Sequence, residues 1–135
     1  MKKEIREKVH EKCLGACGYC GDKIDYKAMQ VDHIICQNEF VTHIKNQYRI
    51  PDFLKHLSET DVNHIDNLMP TCRFCNNWKG ANSLDGFRKE MSEQLKRLND
   101  YSANFRMAKR YNLLIEQPKD IIFHFESLNM HKPRW

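Results

Sequence analysis

No run of about eighteen apolar residues, the length needed to cross a bilayer, occurs anywhere in the 135-residue sequence. A membrane-spanning helix is therefore excluded, and no membrane partner is expected. Nor does the amino end show the apolar stretch of a secretory signal, since Met1-Lys2-Lys3 runs into Glu4, Arg6 and Glu7. There is no internal repeat, no low-complexity tract and no stretch whose composition marks a linker, so one domain over 1–135 is expected. A chain of this length buries a modest core and is marginal without a metal or disulfide to fasten it. Without a secretory signal the expected location is the cytoplasm, where thiols stay reduced. The six cysteines then point to thiolate chemistry and not to a disulfide framework. Charge of one sign is not in large excess either, the formal net charge being +4. It is unevenly spread, with 10 basic and 11 acidic residues in 1–70 against 12 and 7 in 71–135. The basic carboxyl half fits a phosphate-facing surface, and equally a solvated helix face.

What is present reads as mixed α and β. Ile5, Val9 and Cys13 recur every fourth residue among alternating charges, marking a helix over 2–13. Residues 28–35 alternate apolar and polar as a strand does, and Asn67-Leu68-Met69-Pro70 reads as the return strand or turn. Between them, 36–62 has helical character, with Pro51 placed to open a short helix through Leu57. Thr71 is a candidate cap for a helix ended by Gly80, and Ser83 for the clearest helix in the chain, where Leu84, Phe87, Met91, Leu95 and Leu98 step by threes and fours. Tyr101, Phe105 and Ala108 suggest one more helix, and the alternation of Ile121, Phe123 and Phe125 a closing strand.

Chemistry concentrates in Cys17-Gly18-Tyr19-Cys20 and Cys72-Arg73-Phe74-Cys75, two CxxC pairs separated by 51 residues. Each pair can grip a metal from one tight turn, and four thiolates meet the tetrahedral demand of structural zinc. The interval is far longer than the roughly 15–20 residues of compact zinc modules, yet closing it costs little extra, because loop entropy grows only logarithmically with length. Neither pair sits in the strand-to-helix setting of a thioredoxin.

The interval holds Val31-Asp32-His33-Ile34-Ile35 and Asn67-Leu68-Met69-Pro70, and the second pair opens into Asn76-Asn77-Trp78-Lys79-Gly80. In this order and spacing the segments resemble the HNH endonucleases, in particular the cysteine-paired ββα-metal subgroup frequent in phages and bacteria. The Ser83–Glu90 segment and residues 121–126 look like a phage-type branch. The resemblance implies a small α+β protein: a ββα-metal core over 17–80 with insertion 36–62, a four-cysteine zinc site, an N-terminal helix and a helical extension over 81–135 ending in a strand. It further implies metal-dependent hydrolysis of DNA phosphodiesters, by nicking or double-strand cleavage. His33 would be the general base that deprotonates water, a role suited to a side chain titrating near neutrality. Asp32 and Asn76 would offer hard oxygen ligands to Mg²⁺ or Mn²⁺, and Asn67 would brace the loop bearing the base. With Asn76 in the last signature position, the chain is an HNN variant. Arg73, Lys79, Arg88 and Lys89 are candidate phosphate contacts. The rival expectation is a zinc-stabilised nucleic-acid-binding module without catalysis; monomer and homodimer both remain open.

The other candidates have plainer roles. Cys13 reads as a small buried hydrophobe, although His10 three residues earlier leaves a second ligand pair open. Cys36 reads as a packing residue or free thiol. His43, His56 and His64 read as local hydrogen-bonding residues, with His43 the nearest to an assisting role. His124 and His131 read as strand surface and tail, and Trp78 as core or a wedge beside the cysteines.

Overall fold

The computed structural model describes residues 1–130 of the chain, so the expectation for His131 lies outside the described residues. The described chain is α+β and forms two compact units, one built from 1–84 together with 122–130, the other from Asp85–Ile121.

In the first unit α1 (Lys3–Lys12) buries Val9 completely, and Cys13 just beyond it, while Ile5 stays 37% exposed at the end of the stripe. Val9 meets Met29 and Leu68, with Ile24, Val31 and Ile65 packed around them. Two basic residues of α1 serve the fold: Arg6 Nη2 donates to the carbonyls of Tyr26 and Met29 at 2.8 and 2.7 Å, and Lys12 Nζ to those of Ile65 and Leu68 at 2.9 and 2.7 Å. The helix therefore holds the strand region by packing and by charge-assisted hydrogen bonds at once.

Two short antiparallel strands follow, β1 (Gln30–His33) and β2 (Leu68–Thr71), in a register that sets Asp32 opposite Met69 and His33 opposite Leu68. The expected strand over 28–35 is thus only four residues long. The backbone pairing carries on for one more bond, the Ile34 amide donating to the Asn67 carbonyl at 2.8 Å, and ends where the Asn67 side chain takes the next donor, the Ile35 amide bonding to Oδ1 at 2.9 Å. The stretch between the strands is helical, with single 3-10 turns at Gln37–Glu39, Asp52–Leu54 and Ile65–Asn67 and the helix α2 (Phe40–Asn46). Phe40, Ile44, Leu54 and Leu57 are buried within it, as are Ile34, Ile35 and Asn67 at its two ends. After β2 comes α3 (Arg73–Lys79). Its cap is Cys72, whose sulfur accepts from the Cys75 amide at 3.4 Å, and not Thr71, which occupies the last strand position and donates to the Gln30 carbonyl at 3.3 Å.

The long helix expected from Ser83 divides into α4 (Leu84–Ser92) and α5 (Gln94–Tyr101). Side chains compete for the carbonyls at the break, with Ser92 Oγ on Lys89 O at 2.7 Å and Gln94 Nε2 on Glu90 O at 3.1 Å. Ser102 then caps α6 (Ala103–Arg110) through the Phe105 amide at 3.2 Å, which leaves Tyr101 outside that helix and 85% exposed.

The closing strand does not form. Phe123 and Phe125 are buried and Ile122 exposed, as the alternation requires. However, the successive amides of His124 and Phe125 donate to Tyr19 O and Gly18 O at 3.0 and 2.8 Å, whereas the pairing residues of an antiparallel ladder alternate. Glu126 Oε1 accepts from the Phe123 amide at 2.9 Å, and the chain turns into α7 (His124–Met130). Tyr19 stacks edge-on against Phe123 at 5.2 Å, so this segment covers the first cysteine turn.

Gly18 marks the tightest approach in that turn. A Cβ there would lie 2.2 Å from Met69 Sδ and 2.8 Å from its Cγ, and Met69 is buried. Gly18→Ala is expected to lower stability by about 1–3 kcal/mol through overpacking, read as a lower urea midpoint with unchanged slope.

Candidate metal centre and adjoining pocket

Cys17 and Cys20 lie on a turn closed by the Cys17 amide on Asp22 O at 2.7 Å and the Gly21 amide on Cys17 O at 2.9 Å. Gly21, at φ +83°, takes a left-handed conformation that costs a glycine nothing. The Gly18 amide donates to Pro70 O at 2.8 Å, which fixes this turn beside β2. Cys72 and Cys75 stand at the start of α3, and the ligand atoms of all four cysteines lie within 4.8 Å of one another. None of the six cysteines is joined in a disulfide.

The donor set suits zinc. An ion about 2.3 Å from each of four sulfurs separates neighbouring sulfurs by about 3.8 Å, and Cys20 Sγ lies 3.9 Å from Cys72 Sγ. The thiols perturb one another strongly. Cys17 receives the Cys75 thiol as a hydrogen bond and is held down to about 4, although burial acts the other way. Cys75 is correspondingly raised, first by that bond and then by burial, and burial lifts Cys20 to about 12. Negative charge thus collects on one sulfur, and a bound dication is what would let several ionise together.

Beside the cluster is a cavity of about 290 Å³ lined by residues that include Asp32, His33, Cys36 and Asn76. A larger cavity of about 530 Å³ in the second unit, around Leu95, Phe105 and Ile115, brings together no comparable set of acid, imidazole and amide. His33 Nε2 lies 2.8 Å from Asn63 Oδ1. An amide oxygen only accepts, so Nε2 is the donor in this contact, and in the neutral ring the lone pair falls on Nδ1. Asn67 is fully buried and its side chain joins two loops: Nδ2 donates to Ile35 O and Val62 O at 3.2 and 2.9 Å, and Oδ1 accepts from the Ile35 amide. Asn76 donates through Nδ2 to Gln30 Oε1 at 2.6 Å, which turns its amide oxygen away from that contact.

Asp32 is 5% exposed, and its Oδ2 accepts from Tyr19 at 2.5 Å and pairs with Lys79 Nζ at 3.0 Å. Burial raises its pKa despite the ammonium and the phenol, which both favour the carboxylate. Burial and the adjacent Asp32 charge push Tyr19 well above its usual range. Lys79 is fully buried and also donates to His33 O at 3.2 Å, so it is not open to the expected phosphate contact. Arg73 is exposed, its guanidinium 4.9 Å above the Phe74 ring. In the second unit Arg88 Nη1 donates to Ile121 O at 2.8 Å and Lys89 is exposed. Much of the carboxyl-half charge is internally matched there, by Arg97 with Glu90, Lys96 with Asp100 and Lys109 with Glu116.

The remaining candidates separate from the pocket. Cys13 packs 3.9 Å from Met69 Sδ, and His10 Nε2 meets Ile24 O at 2.9 Å, so the two form no ligand pair. His43 contacts Glu39 at 3.2 Å and the Tyr48 ring, and lines a different, small cavity with Cys36. His124 lies in α7, its ring beside Gly21. Trp78 is 53% exposed and belongs to no core; with Phe74 and Asn77 it forms the outer face of α3, opposite the buried Lys79.

Tyr19, Gln30, Asn63 and the inward role of Lys79 escape the reading of the sequence. Lys79 alone had a signal: Cys72, Cys75, Asn76 and Lys79 step by 3, 1 and 3 and so share one helix face. Taken together, fold and site define a small α+β protein whose clustered cysteines can hold a metal ion such as zinc. No family model, no curated protein and no solved structure matches the chain. Among the described residues no helix is long and apolar enough to cross a membrane.

Lys79→Met is expected to destabilise the protein by about 3–5 kcal/mol, because it strands a buried carboxylate. Adding Asp32→Asn should recover much of that loss in a double-mutant cycle of urea unfolding. Cys72→Ser is expected to lower the zinc content of the purified protein by one equivalent, measured by elemental analysis.

Proposed function

We propose that the protein is a metal-dependent endonuclease of the HNH type that hydrolyses DNA phosphodiester bonds. The observation that carries this reading is the convergence of Asp32, His33 and Asn76 on one cavity next to the four-cysteine cluster. The order β1, β2, α3, with the acid and imidazole on the first strand and the amide on the helix, supports a ββα-metal core. On this reading zinc has the folding role. The hard oxygens left to Asp32 and Asn76 suit magnesium or manganese, which would supply positive charge to the non-bridging phosphate oxygens.

His33 acts as general base through Nδ1, taking a proton from the attacking water. Asn63 holds the ring in the tautomer that leaves Nδ1 basic, and Asn67 holds the loop that follows His33. Lys79 and Tyr19 favour the carboxylate form of Asp32 against the burial that opposes it and fix its rotamer, leaving the other carboxylate oxygen toward the cavity. The family resemblance carries with it products with 5′-phosphate and 3′-hydroxyl ends.

One observation favours a second reading. Asp32 is already neutralised by a buried ammonium, which a metal ligand does not require and a purely structural carboxylate does. A zinc-stabilised nucleic-acid-binding module would keep this pair and cut nothing.

The deciding experiment is cleavage of supercoiled, linear and branched DNA with Mg²⁺, Mn²⁺ or EDTA, followed by end mapping. Divalent-dependent nicking is expected, with a loss of about 10²–10⁴-fold in His33→Ala and a smaller loss of kcat in Asn63→Ala, both at unchanged zinc content. Tight DNA binding with no cleavage under any metal would establish the module; undiminished cleavage by His33→Ala would remove His33 as the base.

A further inference from the structure

A second group of metal-ligating side chains lies apart from the cysteines and from the pocket. His56, His64 and Asp66 place one ligand atom each within 4.8 Å of the others. His56 Nε2 is 2.8 Å and His64 Nδ1 3.7 Å from Asp66 Oδ2. An ion bound at about 2.0–2.2 Å to nitrogen and oxygen separates neighbouring ligand atoms by about 3.3–3.5 Å, a value between these two spacings. Small ring rotations therefore convert the cluster into a coordination shell.

The protonation pattern is favourable at one ring and adjustable at the other. His64 Nδ1 accepts from the Asp66 amide at 3.0 Å, so it carries a lone pair and no proton, the state a metal needs. A cation would take the place of that amide hydrogen. His56 Nε2 faces the carboxylate and ligates by moving its proton to Nδ1. All three residues keep solvent access, with side-chain exposures of 54, 37 and 43%, so water can complete the shell.

We propose that His56, His64 and Asp66 form a second cation site, for a borderline divalent ion of the zinc, cobalt or nickel class, held by two imidazoles and one carboxylate with open positions for water. The site would fasten the turn at His56 to the 3-10 turn at Ile65–Asn67. The stretch it closes contains Asn63, which meets His33, and runs into Asn67, which meets Ile35. A cation here would stiffen the segment that orients both, whether or not the pocket is catalytic.

The test is a Co²⁺ titration of the full-length, metal-free protein, followed optically and by equilibrium dialysis. The four-cysteine cluster gives an intense sulfur-to-cobalt charge-transfer band. The second site is expected to add one equivalent with d–d absorption and no further sulfur band. In His56→Gln, which keeps a hydrogen-bonding side chain, and in His56→Ala/His64→Ala, the number of bound equivalents should fall by one with the sulfur band intact. In Asp32→Asn this equivalent should remain. Circular dichroism matching the parent guards against misfolding. A count unchanged by the His56 variants, or an equivalent held only at cobalt concentrations far above that of the protein, overturns the proposal.

Discussion

The constraint on which the first unit depends is the meeting of two cysteine turns that lie 51 residues apart in the chain. Cys17 and Cys20 come from a glycine-bearing loop, Cys72 and Cys75 from the start of a helix, and each turn is also tied to the strands. Gly18 bonds to Pro70, and Cys72 caps the helix that β2 feeds. The sulfur that would bind the ion is thus the same atom that starts α3. Setting the cluster fixes the axial rotation of α3, and with it the inward face bearing Asn76 and Lys79. The hydrophobic cluster of Val9, Met29 and Leu68 is small, and small cores gain disproportionately from such a cross-link.

The second organising feature is a charge that burial opposes. Asp32 stands on the first strand of a two-stranded sheet, and the ammonium of Lys79 with the phenol of Tyr19 offsets part of its desolvation. Buried pairs seldom add net stability over apolar packing, but losing one partner is costly. What the pair does provide is position: one carboxylate oxygen is held inward by two donors, and the plane of the group is set. That is compatible with a ligand whose other oxygen faces a cavity, and equally with a strut.

The parts of the fold visible in the sequence are those governed by short-range pattern. Val9 on α1 and Cys13 just beyond it, the gathering of four cysteines and the glycine at the end of α3 follow from spacing and backbone freedom alone. The misreadings arose where side chains intercept backbone groups. Asn67 ends β1, Ser92 and Gln94 divide the long helix, Ser102 moves the start of α6, and Glu126 turns an alternating stretch into α7. Hydrophobic periodicity is blind to such bonds, because it records which residues are apolar and not which carbonyl a hydroxyl or amide will reach. Asn63 and Tyr19 were invisible for a related reason: their partners, His33 and Asp32, lie 30 and 13 residues away, and only the folded chain brings them together.

The segment between the strands shows why loop length is a poor measure of looseness. Closing a long loop costs little more entropy than closing a short one, so its 34 residues between β1 and β2 are tolerable whatever they do. Holding a pocket is a different demand, since a group misplaced by an ångström loses its contact. Here polar tethers meet it. Asn67 binds both Ile35 and Val62, Asn63 reaches His33, and Lys12 from α1 grips Ile65 and Leu68. Each contributes about 0.5–1.5 kcal/mol, somewhat more where the donor is charged. That is small against the folding of the whole, yet comparable to the free energy separating an ordered loop from a mobile one. The tethers cluster at the carboxyl end of the segment, over 62–68, whereas α2 is anchored by the apolar residues Phe40 and Ile44. Order in the pocket therefore rests on a few residues just before β2, and it is there that any added cross-link acts with most effect.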